Sequence, residues 1–420
     1  MMSAFLVGGG RPLYGAVDIH GAKNSVLPIL AAAILAGGPC VIHNCPSLSD
    51  VDASLAILRH LGCRAERQGE AVTVDSGPMC RCHVPDSLMR EMRSSVIFLG
   101  AILARAGEAR LSMPGGCELG PRPIDLHLAA LRAMGAEIAE EGGSLLCRVG
   151  GGLRGAEITL SIASVGATEN AMLAACGAEG TTTIINAARE PEIVDLQSFL
   201  RAMGARVEGA GTSTVTVEGG APLHGCEHRV IADRIVAATY LAAAAAAGGE
   251  VEVTGVAPGQ LSTVTAVLRE SGCRVDSGGG TVRLRKTAPL RGVGTVRTAP
   301  YPGFPTDAQP PVMAALASSR GTTVFVETIF ENRFRHAGEL ARMGAQIRVE
   351  GRVAVVCGVP RLHGAPVHAA DLRGGAALLV AALGAEGESR ITGLHHMDRG
   401  YDGLERTLTA LGAEIRRTEL

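Results

Sequence analysis

Six octapeptides built on one pattern recur along this chain of 420 residues: LRHLGCRA from Leu58, LRAMGAEI from Leu131, LRAMGARV from Leu200, LRESGCRV from Leu268, LARMGAQI from Leu340 and LTALGAEI from Leu408. Their spacings are 73, 69, 68, 72 and 68 residues. A period of this length constrains the fold more than any local propensity does. Each copy is one supersecondary unit that must bury its apolar face against neighbouring copies. Each octapeptide reads as a helix end: the leucine packs, the glycine takes the left-handed position after the helix, and an apolar residue then opens a strand.

The second copy displays the unit most clearly. Ser94 to Ala106 reads as an apolar helix, ARLSMP as a short strand, and IDLHLAALRAMG as an amphipathic helix with Ile124, Leu128, Leu131 and Met134 on one stripe. AEIAEEGGSLLCRV reads as a hairpin turning at Gly142 and Gly143. With a linking strand such as LRGAEITL, the order is a βαβαββ-type unit. Six copies in a chain of this length imply an α/β protein of two domains with three copies each. The alanine-rich first helices are apolar nearly all round and belong inside each domain. The second helices belong outside.

The copies differ where chemistry is expected. Each first helix ends in glycine, at Gly37, Gly107, Gly180, Gly248, Gly321 and Gly387. Fourteen residues before these stand Lys23, Arg93, Gly166, Arg234, Asp307 and Arg373. Four are cations and one is a carboxylate, although Lys and Arg are only 39 of 420 residues. All lie at helix starts, where free N–H groups and a partial positive charge favour anions. On the second helices, seven residues before the octapeptide leucine, stand Val51, Ile124, Ile193, Leu261, Arg333 and Tyr401. Arg333 breaks the packed stripe. Nine residues before it, Arg122 and Arg399 occupy the same place in copies two and six. Repeat symmetry directs these positions to a common mouth, so Lys23, Arg122, Arg333, Arg373 and Arg399 form a candidate site for a ligand with more than one anionic group. Arginine binds carboxylate or phosphate with two parallel donors, and lysine adds a compact charge.

Two more residues stand out. Asp307 follows two prolines in PGFPTDAQ and is suited to cap a helix. In a cationic mouth it would stay ionised, able to accept a proton from a substrate hydroxyl or to orient that hydroxyl. Cys117 lies in SMPGGCELGPRPID, a loop dense in glycine and proline. A following helix start and Arg122 nearby favour its thiolate. The other ten cysteines fall mostly in apolar or strand contexts without any CxxC, the pattern of reduced thiols in a cytoplasmic protein.

Composition excludes several classes. The formal charge is −2, which provides no global field for nucleic acid or anionic membranes. Aromatic residues are 3% with no Trp, too few for a base-stacking surface. The longest apolar run, Ile235 to Ala247, is too short to span a bilayer, and MMSAFLVGGG does not read as a signal peptide. No metal-ligand cluster is visible and no cofactor is called for.

The segments GAKNSVLPILAAAIL, MRSSVIFLGAILA, MPGGCELGPRPIDLHL, SVGAT, AREPEIVDL, FPTDAQ, ETIFENRFRH, DLRGGAALL and HHMDRGYDGLE resemble the UDP-N-acetylglucosamine 1-carboxyvinyltransferase (MurA) family of enolpyruvyl transferases over almost the whole chain. The resemblance implies a two-domain inside-out α/β barrel. One domain would cover residues 23–231, and residues 1–22 would join 232–420 in the other, with the active site in the cleft between them. It implies transfer of the enolpyruvyl group of phosphoenolpyruvate to the 3′-hydroxyl of UDP-N-acetylglucosamine with release of phosphate, an early step of peptidoglycan synthesis. By the same resemblance Lys23, Arg122 and Arg399 would hold the phosphate of phosphoenolpyruvate and Arg333 and Arg373 its carboxylate, with Asn24 also binding that substrate. Asp307 would act on the sugar hydroxyl and Cys117 would be the general acid. Asn24, Arg93, Arg122, Pro123, Ile124, Asp125, Leu126, Ser164, Val165, Gly166, Asp307 and Ile329 would line the nucleotide-sugar site. This chain has Ile97 where many relatives have Trp, and Ile162 and Ala163 where some have Lys. The open alternatives are a different nucleotide acceptor, shikimate 3-phosphate as acceptor, and a catalytically silent paralogue.

The Cys117 assignment yields a direct expectation. Fosfomycin, an epoxide mimic of phosphoenolpyruvate in this family, should alkylate Cys117 alone, and faster with UDP-N-acetylglucosamine present. Cys117→Asp should resist the drug and keep turnover, because a carboxyl also delivers a proton, whereas Cys117→Ser should turn over far more slowly. Peptide mass mapping locates the adduct; modification of any other cysteine, or a fully active Cys117→Ser enzyme, removes Cys117 from the mechanism.

Overall fold

The six octapeptides do end helices. Their glycines, Gly62, Gly135, Gly204, Gly272, Gly344 and Gly412, all take φ between 92° and 105°, which a Cβ would strain. The structure, a computed structural model, describes residues 3–92, 94–112 and 124–419. These fall into two compact units, one holding residues 21–112 and 124–231, the other residues 3–20 and 232–419.

Each unit contains three four-stranded sheets of one topology. In the third copy, Thr181–Ile185 pairs parallel with the linking strand Glu157–Thr159 on one side. On its other side it pairs antiparallel with Thr214–Glu218, the inner strand of the hairpin begun by Arg206–Glu208. The other sheets follow this plan, and three borrow strands from a distance. The linking strand of the first copy is Glu227–Arg229, parallel to Pro39–His43. The inner hairpin strand of the sixth copy is Ser3–Gly8, antiparallel to both Glu388–Thr392 and Glu414–Glu419. Leu13–Asp18 likewise serves as the linking strand of the fourth copy, beside Gly249–Thr254.

Inside each unit three helices pack together. They are Lys23–Ala32, Phe98–Ala106 and Val165–Cys176 in one unit, and Arg234–Ala247, Gln309–Leu316 and Leu372–Gly384 in the other. Small residues permit the contact. A Cβ on Gly100 would sit 2.4 Å from the Asn170 carbonyl oxygen, so only glycine lets those two helices approach. The helix Arg234–Ala247 is buried from Arg234 to Ala246, as an inner helix apolar nearly all round must be. The outer helices are one-sided: in Ser49–Leu61, Val51, Leu55 and Leu58 are buried while Asp52 and Arg59 are exposed. Helix starts fall as the fourteen-residue count predicts. Lys23 and Arg234 open their helices, Gly166 and Arg373 are second residues, and Asp307 lies in the turn Thr306–Ala308 just before Gln309–Leu316. Two details differ from the sequence reading. The helix of copy two begins as a 3-10 turn, Ser95–Ile97, and Ile124 is half-buried because it precedes its helix Asp125–Ala133. Among the described residues no helix is long and apolar enough to cross a membrane.

Because Ser3–Gly8 is an inner strand of its sheet, its apolar face belongs to the core. Phe5 is 1% exposed, with the Arg417 guanidinium 5.0 Å from its ring centroid. Phe5→Ala should destabilise by about 3–5 kcal/mol, the usual loss for a large buried ring. Urea denaturation measures this; an unchanged midpoint would show that the strand adds nothing to the core.

Candidate active site

In the unit of residues 3–20 and 232–419, two inner-helix starts and the turn Arg333–Arg335 bring three of the expected residues into contact. Asp307 accepts from Arg333 Nη2 at 2.6 Å through Oδ1 and from Arg373 Nε at 3.3 Å through Oδ2. Arg333 also donates to the Thr306 carbonyl from Nε at 3.1 Å and Nη2 at 2.9 Å, and its guanidinium carbon lies 5.5 Å from the Phe330 ring centroid. At 1% exposure it is the largest fully buried side chain among the described residues. Its apolar-stripe position thus places a cation where its counterparts place Val51 or Leu261. A buried cation is tolerable only when paired and hydrogen-bonded, and here both conditions hold.

Arg373 is 2% exposed. Burial works against its charge, but Tyr401, Asp307 and Asp233 outweigh burial and hold its pKa above the ordinary arginine value. Its Nη1 is buried and has no hydrogen-bond partner among the described residues. Asp371 and Asp233 cap their helices, each accepting two backbone N–H groups. Arg399 ends the 3-10 turn Leu394–Arg399 and is half-buried, two residues before Tyr401. Ile329 is exposed at the other end of a bracket built by Glu327. That carboxylate, 2% exposed, accepts from the Thr306 hydroxyl at 3.0 Å and from the N–H groups of Ile329 and Phe330 at 2.7 and 3.1 Å. Glu327 thereby ties the Asp307 loop to the Ile329 loop.

In the unit of residues 21–112 and 124–231, Lys23 Nζ lies 2.5 Å from Asp50 Oδ2, with both side chains buried. Asn24 beside it is exposed. The next residue, Ser25, donates to Asp195, which also takes His228 Nε2 at 2.9 Å and the Ile231 N–H at 3.3 Å. Ile124, Asp125 and Leu126 approach Ser164, Val165 and Gly166 through His127. A Cβ on Gly166 would lie 2.8 Å from the His127 ring, so the glycine in this copy makes room for an imidazole. The Asn170 side-chain amide donates to His127 Nδ1 at 2.8 Å, because Asn170 Oδ1 already accepts the Gly100 N–H. That leaves His127 neutral with its proton on Nε2. Arg93, Cys117, Arg122 and Pro123 lie outside the described residues.

Sequence reasoning missed Asp50, Glu327 and His127. Their only signal was a charged or polar residue adjoining a candidate segment; the partners are distant in sequence. The cysteine expectation needs one amendment. All ten described cysteines are free and burial raises several, Cys45, Cys63 and Cys147 to about 11 and Cys176 to about 12, but Cys80 and Cys357 are exposed. These two are the natural internal controls for thiol labelling.

The profile of the family described as EPSP synthase (3-phosphoshikimate 1-carboxyvinyltransferase) matches residues 7–408. UDP-N-acetylglucosamine 1-carboxyvinyltransferase 2 of Caldanaerobacter subterraneus subsp. tengcongensis is 51% identical over 416 residues, covering 99% of this chain and 100% of that protein. UDP-N-acetylglucosamine 1-carboxyvinyltransferase of Acinetobacter baylyi is 47% identical over 416 residues, covering 99% and 100%. Among solved structures, the enolpyruvyl transferase NikO from Streptomyces tendae superposes with a TM-score of 0.90 at 31% identity, covering 99% of each chain. EPSP synthase from Acinetobacter baumannii gives 0.77 at 20% identity over 100% of each chain, a likeness of fold.

Two buried histidines make stability depend on pH. Desolvation lowers the His127 pKa to about 4, opposed by Asp125. His336, whose Nδ1 faces the Arg333 carbonyl at 3.2 Å, is also lowered by burial and by Arg333, against Asp371. Both are neutral when folded, and the unfolded chain binds their protons first. Their contribution is therefore complete above pH 6.5 and is lost as pH falls towards 4, up to about 3 kcal/mol for His127. Urea midpoints at pH 7.5 and 5.0 should show this fall, and His127→Gln should shrink it. An equal fall in the variant would exclude His127 as a cause.

Proposed function

The chain belongs to the EPSP synthase family of enolpyruvyl transferases, and on that premise we propose that it transfers the enolpyruvyl group of phosphoenolpyruvate to the 3′-hydroxyl of UDP-N-acetylglucosamine, releasing phosphate in peptidoglycan synthesis. The observation that carries the reading is the cluster of half-buried Asp307 with buried Arg333 and Arg373, in which Arg373 Nη1 has no partner among the described residues. Two paired guanidinium groups suit a carboxylate, and a buried donor without a partner costs about 1–3 kcal/mol that a ligand oxygen would recover. The acceptor follows from the relatives. Two relatives named for this nucleotide sugar stand at 51% and 47% identity, against 20% for the EPSP synthase structure. A shikimate 3-phosphate acceptor is therefore disfavoured. The free thiols fit the cytoplasm as its compartment.

In this mechanism Arg333 and Arg373 turn part of their donors from Asp307 to the substrate carboxylate. The exchange releases Asp307 to take the proton of the acceptor hydroxyl. The hydroxyl oxygen adds to C2 of phosphoenolpyruvate while Cys117 delivers a proton to C3, giving a tetrahedral intermediate. The C2–O bond to phosphate then breaks, a proton leaves C3, and the double bond returns. Lys23, Arg122 and Arg399 stabilise the departing phosphate. Asp50 steadies Lys23. Glu327 keeps Thr306 and Ile329 in register with Asp307. Ile124 to Leu126 and Ser164 to Gly166 hold the nucleotide, with His127 as the spacer between them.

Phosphate release from phosphoenolpyruvate should require UDP-N-acetylglucosamine and should not occur with shikimate 3-phosphate. Asp307→Asn should keep both KM values within a few-fold and lower kcat by ~10²–10⁴, the usual loss of a general base. Equal turnover with shikimate 3-phosphate would overturn the acceptor, and near-normal kcat in the variant would reduce Asp307 to a structural role.

A further inference from the structure

Repeat symmetry offers a test for function that needs no ligand. Seven residues before each octapeptide leucine, a repeat that only needed to pack would carry an apolar side chain. Val51, Ile193 and Leu261 do so, each at most 1% exposed. Two copies depart from this, with Arg333 and Tyr401, and both remain buried, at 1% and 4%. Both departures point to one cluster. Arg333 bonds Asp307, and the Tyr401 ring adjoins the Arg373 guanidinium. The position that builds the core in other copies has been turned over to the anion site in these two.

The hydrogen-bond directions around Tyr401 are determined by its neighbours. The Thr239 hydroxyl donates to the Ile235 carbonyl at 2.9 Å, so at 3.0 Å it accepts from the Tyr401 hydroxyl. With its proton committed to Thr239, the phenol oxygen can only accept from any further neighbour. The Arg373 guanidinium carbon lies 5.3 Å from the tyrosine ring centroid. Asp307 holds the same guanidinium through Nε at 3.3 Å, and Nη1 is left without a partner among the described residues.

We propose that Tyr401 is a positioning residue for Arg373, holding the guanidinium so that its spare donor meets the carboxylate of phosphoenolpyruvate. The inference rests on the reading that Arg373 binds that carboxylate. A phenol is well suited to this task. It fixes a guanidinium by accepting one hydrogen bond, yet it brings no negative charge to compete with an anionic substrate. Asp307 fixes the same group but competes, so the substrate must displace it; Tyr401 stays in place throughout. The pair Tyr401–Thr239 thus sets the geometry, and Asp307 sets the charge.

The carboxylate does not take part in bond making, so loosening Arg373 weakens ground state and transition state alike and appears in KM rather than kcat. Tyr401→Phe removes only the hydroxyl. It should raise KM for phosphoenolpyruvate about tenfold, the equivalent of one hydrogen bond to a charged group, with kcat within about twofold. KM for UDP-N-acetylglucosamine and the melting temperature should be unchanged. Thr239→Val, which removes the acceptor that orients the phenol, should shift the same KM in the same direction and serves if Tyr401→Phe is poorly folded. Arg373→Lys separates the two levels of the argument. A raised KM in Arg373→Lys with an unaltered one in both Tyr401→Phe and Thr239→Val overturns the role of Tyr401 alone. An unaltered KM in Arg373→Lys overturns the carboxylate site itself. A fall in kcat together with a rise in both KM values would mark Tyr401 as merely structural and would also overturn the proposal.

Discussion

Close contact among three apolar helices in each unit determines where everything else can stand. Helices that touch along alanine and glycine leave room between them for few polar side chains, such as Asn170 against Gly100. Polar chemistry is driven to their ends, and at the starts the backbone leaves unpaired N–H groups. In the unit of residues 3–20 and 232–419 those starts are capped by Asp233 and Asp371 and crowded by Asp307, Arg234 and Arg373. The small residues at Gly100 and along 234–247 are therefore as much a condition of the site as the charged residues are.

Burying two arginines side by side would be prohibitive without compensation. The structure supplies it from several directions. Asp307 sits between the guanidinium groups, and the Thr306 carbonyl takes two donors from Arg333. Aromatic rings adjoin each cation, Phe330 at Arg333 and Tyr401 at Arg373. Such an arrangement keeps the cations desolvated and oriented, the condition under which a hydrogen bond to an incoming anion is strongest. Rigidity also comes from one step further out, where Glu327 and Asp195 each gather three donors from separate loops or elements.

Much of this was legible in the residues. The octapeptide glycines announced helix ends, and all six adopt left-handed φ. The fourteen-residue count found the starts of the inner helices, and the break at Arg333 in an apolar stripe singled out a buried cation. Tyr401 was harder to recognise because a tyrosine passes for core; only its Thr239 contact, 162 residues away, reveals the hydroxyl at work. Asp50 and Glu327 were invisible for a related reason. Their meaning lies in partners 27 and 21 residues away, and a lone carboxylate near a helix start or a loop looks like solvated charge. His127 could not be distinguished from any amphipathic-helix histidine until Gly166 and Asn170 closed around it. Periodicity reports backbone and burial; it does not report which polar atoms meet.

The strand Ser3–Gly8 has a temporal consequence. Its two partners, Glu388–Thr392 and Glu414–Glu419, are the last strands of the described chain. At ordinary rates of synthesis the first strand waits roughly 20–80 s before its neighbours exist. During that time residues 21–231 can complete all three of their sheets, since the strand they borrow, Glu227–Arg229, lies within their own span. An apolar segment headed by Phe5 and Val7 meanwhile trails unpaired from a folded body, exposed to chaperones or to another nascent copy. The ribosome thus meets this molecule as one finished unit and an early strand still unpaired, and the second unit closes only when the distant partners of that strand have been made.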